Sequence, residues 1–186
     1  QPIKGTRKRG GSVEEDNQLR KELLNCPKER SENVMIVDLV RNDLSRTASK
    51  ASVQVEELFG IYSFQQVHQM ISTITSNLKE GVSGVEAIRC AFPMGSKTGA
   101  PKIRAMELIE KYESTKRGLY SGSVGFFTPQ GDFDFNVVIR SILYNAKNKY
   151  ASFMVGSAIT AKAIPELEYE ECLLKAKAMF DVLGDA

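Results

Sequence analysis

The sequence has little of what imidazole-based metal sites, disulfide scaffolds or membrane spans require. A single histidine, His68, is present, which excludes a site built from several imidazoles. The three cysteines, Cys26, Cys90 and Cys172, are odd in number and far apart. They give no metal-ligand spacing and read as free thiols in a reducing, cytoplasmic setting. No apolar run approaches the roughly 18 residues of a membrane span, and no charged-then-apolar leader opens the chain, so no membrane partner is expected. An excess of one charge is missing as well: 25 Lys and Arg oppose 23 Asp and Glu, a net +2, which argues neither for nucleic acid nor for a strongly acidic partner. What remains is ordinary for a soluble globular chain. Its 186 residues, 42% hydrophobic and 26% charged, suffice for one domain with a real core, or for a piece of a larger one.

The most informative stretch runs from Lys28 to Asp43, K-E-R-S-E-N-V-M-I-V-D-L-V-R-N-D. Val34, Ile36, Val37, Leu39, Val40 and Leu44 leave few polar gaps and predict a helix with a buried middle. It belongs to a helical segment over residues 17–47, read as one helix or as two separated at Pro27. Glu29 and Glu32 are three apart, which puts both carboxylates on one helical face. Such a pair is either half of a site for a hard cation such as Mg2+, which takes oxygen ligands, or a solvated first turn favoured by the helix dipole.

The opening residues 1–17 lack periodicity and read as a loop. Their basic cluster, Lys4, Arg7, Lys8 and Arg9, has no interleaved aromatics, which speaks against a nucleic-acid arm. Lys4 follows an extended X-Pro start and either points inward or lies on the surface. Residues 52–56 alternate as a strand, and residues 67–78 are β-branched with period-two character. On that strand His68 and Gln69 face opposite sides, so only one of them faces a given pocket. A short helix is expected near residues 85–91. The glycine-containing loop Phe92 to Lys102 then leads into a helix over 103–112. Backbone N–H groups at such a start suit a carboxylate or phosphate, while the spacing is not that of a Walker A loop; a simple tight loop with helix capping fits equally.

A β meander follows, with strands over 121–128, 133–144 and 149–155 joined by short antiparallel links. Arg140 falls within the apolar run V-V-I-R-S-I-L and must pair with a carboxylate of the protein or of a ligand. The last helix starts at Pro165, with Leu173, Leu174, Ala176, Met179, Phe180 and Leu183 expected inward. Its first turns repeat the acidic spacing at Glu168 and Glu171. If the two acidic helix starts meet, four carboxylates surround one cation and need it to stay ionised; two separate charged helix starts are the alternative.

Taken together, P-I-K-G-T, K-E-R-S-E-N-V-M-I-V-D-L-V-R-N-D, G-S-K-T-G-A-P-K-I-R-A-M-E, Y-S-G-S-V-G-F-F with I-R-S, and P-E-L-E-Y-E-E resemble the chorismate-binding enzymes. That family comprises anthranilate synthase component I, aminodeoxychorismate synthase component I, and the isochorismate and salicylate synthases. The resemblance covers essentially the whole chain in order. It implies an α+β fold, layered, with antiparallel sheets and outer helices, of which residues 1–186 form the C-terminal half as one chorismate-binding domain. The lysine of P-I-K-G-T resembles the aminodeoxychorismate synthases, whereas anthranilate synthases typically carry alanine there.

The resemblance further implies Mg2+ as cofactor, held directly by Glu32 and Glu171 with Glu29 and Glu168 nearby through water, and chorismate as substrate. Arg140, Tyr120 and backbone amides around Gly156 would hold the enolpyruvyl carboxylate, and Thr98, Gly99, Ala100 and Lys102 would line the ring side. Lys4 would add to ring C2 as the C4 hydroxyl leaves. Ammonia, from solution or from a glutamine amidotransferase subunit, would then displace the lysine to give 4-amino-4-deoxychorismate, a precursor of para-aminobenzoate and folate. Three departures stand out. Gln69 occupies a place where many members have a histidine, with His68 one position earlier. Gly156-Ser157-Ala158-Ile159 replaces a more glycine-rich run. The family's long N-terminal portion, with a glutamate implicated as general acid, does not precede P-I-K-G-T here, so a larger protein or a partner would supply it. Alternatives are another chorismate enzyme, anthranilate synthase above all, or a non-catalytic half-domain that binds an anion or docks on an amidotransferase. Apolar faces left bare by an absent half would favour self-association.

Overall fold

A computed structural model of the chain describes residues 1–161 and 163–184. It divides into two compact units, Gln1–Ile109 and Glu110–Ala186.

In the first unit, strand β1 (Ile3–Lys8) is followed by helices α1 (Val13–Asn25) and α2 (Pro27–Ser45), strands β2 (Gln54–Ser63) and β3 (Val67–Thr75), helices α3 (Gly84–Ala91) and α4 (Gly95–Thr98), and most of helix α5 (Lys102–Tyr112). The opening therefore differs from the loop its composition suggests. Residues 3–8 pair antiparallel with the central strand β3, and the acids after them begin a helix. Ser12 caps α1 by accepting from the Glu15 N–H at 3.2 Å, an S-x-x-E signature legible in the sequence. Glu14, Glu15 and Asp16 then occupy the positive end of the helix dipole.

The sheet has the order β1-β3-β2, all antiparallel. β3 shows the expected alternation: His68, Met70, Ser72 and Ile74 are buried. His68 bonds to Asp16 of α1 and Ser72 to Asn33 of α2, so this face is the one covered by helices. Leu23, Ile36 and Val37 complete the core under it. Val34, expected inside, is 41% exposed: only about one stripe of a helix can face a three-stranded sheet, and Asn33 and Ile36 occupy it.

In the second unit, β4 (Ser123–Phe127) pairs with β5 (Phe133–Val137) and β6 (Leu143–Asn145) with β7 (Tyr150–Ser152), both antiparallel, and α6 spans Pro165–Leu183. The expected continuous strand over 133–144 is broken. After Val137 the backbone curls, with the Ile139 N–H donating to Val137 O at 3.0 Å and Arg140 at φ +50°. Phe127, Phe133 and Phe135 form a cluster with centroids 5.2 to 6.2 Å apart, Phe135 edge-on to the other two and Phe127 tilted on Phe133, geometries aromatic rings favour. Phe153 packs edge-on against Phe180 of α6 at 5.1 Å. Of the α6 residues expected inward, only Ala176 and Met179 are buried, while Leu173, Leu174, Phe180 and Leu183 are 45% to 72% exposed. The apolar stripe of α6 is wider than the short strands of this unit cover. Among the described residues no helix is long and apolar enough to cross a membrane.

Candidate functional site

In the first unit the acidic face of α2 lies against β1. Lys4 Nζ stands 3.7 Å from Glu32 Oε2, and Arg7 Nη1 is 3.6 Å from Glu29 Oε1. The two glutamates are thus on one face, as their spacing predicts, with side chains 21% and 17% exposed. Among the described residues neither carboxylate accepts a hydrogen bond, and their cations stand beyond hydrogen-bond reach. Two mostly buried carboxylates with open lone pairs are a donor set that suits a hard divalent cation. A register shift in β1 between Ile3 and Thr6, at Gly5, turns Lys4 toward this face.

His68 lies on β3. It is fully buried, and both ring nitrogens are committed: Nε2 to Asp16 Oδ1 at 2.9 Å and Nδ1 to Ser63 Oγ at 2.8 Å. In this arrangement His68 ties α1 to the β2–β3 hairpin. Gln69 is half-buried and, by strand alternation, points to the side of β3 opposite His68.

Asp16 is the hub of this tie. It also accepts both Arg9 Nε and Nη2, at 2.8 and 2.9 Å, and the Gly10 N–H at 2.8 Å. The Arg9 fork, then the Gly10 N–H and the His68 ring, hold its carboxyl far below the ordinary 3.8. A carboxyl depressed by folding adds stability that is complete above its unfolded value and is lost as pH falls from about 4 toward its folded value. Melting temperature is therefore expected to fall below about pH 4, and Asp16→Asn to melt lower at pH 7 with a shallower acid decline; identical acid limbs in the two proteins would contradict this.

The loop after α3 holds the one-turn helix α4 within the stretch expected to be irregular. Thr98, Gly99 and Ala100 lie at its end, with Thr98 Oγ1 donating to Met94 O at 3.0 Å. The Lys102 ammonium donates to Asp43 Oδ2 at 2.6 Å and to Ala91 O at 2.9 Å. Asp43 closes the V-R-N-D motif and was passed over in the sequence because nothing local marks it.

In the second unit Gly156, Glu168 and Glu171 are drawn together through two residues that sequence reasoning missed. Ser157 donates to the Glu168 carboxylate. Lys175 pairs with Glu171 at 2.5 Å and donates to Gly156 O at 3.0 Å, so α6 and the residues after β7 are linked. A Cβ at Gly156 would meet Tyr120 Oη at 2.9 Å. Tyr120 also borders a cavity of about 470 Å3 lined by Arg117, Val138, Ser141, Phe153 and Met154 among others. Burial pushes its phenol above the ordinary value, an effect the Arg117 guanidinium partly offsets. Arg140 stands apart. It is exposed, in the break after β5, and makes no ion pair or side-chain hydrogen bond among the described residues. Its place in an apolar run does not bury it, because the run is not one strand. Among the described residues no three His, Cys, Asp or Glu groups stand together as a ready metal site.

The sequence profile of the chorismate binding enzymes matches residues 1–181. The chain belongs to that family. It is 48% identical over 177 residues to the chloroplastic aminodeoxychorismate synthase of Arabidopsis thaliana, covering 95% of this chain and 19% of that protein. It is 44% identical over 182 residues to anthranilate synthase component 1 of Bacillus subtilis (strain 168), covering 98% of this chain and 35% of that protein. The crystal structure of anthranilate synthase component I from Streptococcus pneumoniae TIGR4 superposes with a TM-score of 0.82 at 33% identity, over 92% of this chain and 41% of that one. The family's mixed α+β architecture is therefore the architecture of this chain, which spans a fifth to about a third of the length of these curated relatives.

Proposed function

We propose that this chain carries the lysine-bearing part of an aminodeoxychorismate synthase, which converts chorismate and ammonia to 4-amino-4-deoxychorismate. The observation that carries the reading is Lys4, a primary amine on β1 turned to the acidic face of α2 and 3.7 Å from Glu32. Likeness to aminodeoxychorismate synthases supports it; likeness to anthranilate synthases is nearly as high, so the lysine is what favours one chemistry over the other.

In this reading the unprotonated Lys4 amine adds to ring C2. The double bonds shift and the C4 hydroxyl departs, taking up the amine's proton to leave as water. Ammonia then attacks C4, the double bonds shift back, and the C2–N bond to Lys4 breaks, which regenerates the amine. Glu171 and Glu168 of the second unit offer a like-spaced pair of carboxylates; in the first unit Glu32 and Glu29 would hold Mg2+. Bound there, Mg2+ would neutralise the ring carboxylate of chorismate and let charge shift into the ring. Within the first unit Thr98, Gly99 and Ala100 would face the ring; within the second, Tyr120, Arg140 and the Gly156 backbone offer donors for a carboxylate. Ammonia would come from solution or a glutamine amidotransferase.

Incubation of the intact protein with chorismate, Mg2+ and an ammonium salt, with products resolved by liquid chromatography and mass spectrometry, tests the reading. The expected product is 4-amino-4-deoxychorismate; anthranilate with pyruvate would instead assign the chain to the anthranilate synthases. Glu32→Gln is expected to raise the Mg2+ concentration needed for half-maximal rate by about 10- to 100-fold, and an unchanged requirement would remove Glu32 from the metal site.

A further inference from the structure

Asp43 and Lys102 break a local rule of helix electrostatics in a matched way. Asp43 lies in the last turn of α2, the negative end of that helix dipole, and Lys102 is the first residue of α5, the positive end. Each charge sits where its own helix disfavours it, and each compensates the other across 59 residues of sequence at 2.6 Å. Asp43 is 5% exposed, and among the described residues its Oδ1 has no hydrogen-bond partner, so Lys102 is what balances its charge. A departure from local preference that is offset by one long-range contact points to a role beyond stability.

The second bond of Lys102 shows what that role is. Its ammonium also donates to Ala91 O, a carbonyl at the end of α3 that has no partner within the helix. One nitrogen thus ties the end of α2, the end of α3 and the start of α5, and closes the stem of the loop 92–101 that carries Thr98, Gly99 and Ala100. Within the loop, Gly95 presses on α2 so closely that a Cβ would meet Leu39 Cδ1 at 2.8 Å. We propose that Asp43 and Lys102 are positioning residues, which clamp the loop 92–101 on α2 so that its backbone is preorganised for the substrate. Placing this loop against substrate rests on the reading given under Proposed function; the clamp itself does not.

Lys102→Met and Lys102→Arg in the intact protein, followed by hydrogen exchange and by chorismate kinetics, test the clamp. In Lys102→Met the amides of 92–101 are expected to exchange at least about tenfold faster, with KM for chorismate raised about tenfold and kcat changed far less. Lys102→Arg, which can still reach both acceptors, is expected to recover most of the protection. Unchanged exchange in Lys102→Met overturns the clamp, as does a fall in kcat with exchange unchanged, the signature of a lysine that touches the substrate. If Lys102→Met does not fold, Asp43→Asn serves: it retains an acceptor without the charge and is expected to exchange faster over the same residues, and parental exchange there overturns the proposal. Exchange needs no substrate. A protein that leaves chorismate untouched would therefore defeat the functional reading while these amides still decide the clamp.

Discussion

Incubation with chorismate and Mg2+ in the absence of ammonia is expected to raise the intact mass of the protein by one chorismate less one water, and Lys4→Ala is expected to abolish the increase. Amination by the variant should fall by about 10^3-fold or more, because removal of a nucleophile that forms the covalent intermediate removes the two-step route. On the proposed reading the Lys4 side chain would make this attack. It is 21% exposed and is held toward Glu32 without a hydrogen bond that would have to be broken first. Lys4→Arg separates chemistry from charge. A guanidinium keeps the positive partner of Glu32 but stays protonated and does not add to the ring. If Lys4→Arg retains the mass increase or the rate of the parent, the residue is an electrostatic partner and the proposed function loses its central residue.

Gly5→Ala is expected to destabilise the protein by about 3 kcal/mol. Its φ of +100° is a conformation that side chains adopt at a cost of about 1–3 kcal/mol. A Cβ would also stand 3.1 Å from Leu23 Cδ1 and 3.2 Å from Glu29 Cβ, and crowding in a packed core costs a further 1 kcal/mol or so. Leu23 is fully buried and cannot withdraw into solvent. For a chain of this length the melting temperature should fall by roughly 10 °C. Gly81→Ala provides the contrast: φ is +79° but nothing lies within 4 Å, so only the backbone cost of about 1–2 kcal/mol is expected. Equal losses at the two positions would show that the packing of β1 on α1 and α2 is not what Gly5 protects. Because Gly5 follows Lys4, the same variant should also weaken adduct formation.

The elements that the sequence discloses are those whose signals are local. The glutamate spacing on α2 and the alternation of β3 follow from helix and strand periods, and the burial of Ile36, Val37, Met70 and Ile74 agrees with them. The start of α1 was legible too, in the S-x-x-E of Ser12 and Glu15, had the charged opening not masked it. The ordered set of motifs carried the family, since membership depends on residues and their order along the chain.

Tertiary structure decided whatever depends on partners distant in sequence. The lone histidine, His68, is bonded to Asp16, 52 residues away. Lys102 turns from the loop to Asp43 because a buried carboxylate at the wrong end of a helix needs a cation more than the loop does. Arg140 looks interior in the sequence, yet the strand breaks beside it at Ile139, where a local hydrogen bond to Val137 O replaces a ladder bond. Burial of α6 is likewise settled by how much surface its neighbours offer, which its own apolar pattern does not contain. Thus the chain by itself determined its family, its helix and strand periods and its acidic pairs, because these are properties of neighbouring residues. Which charged and polar groups face each other was decided only by folding, because an ion pair or hydrogen bond is a matter of angstroms between segments that the sequence leaves far apart.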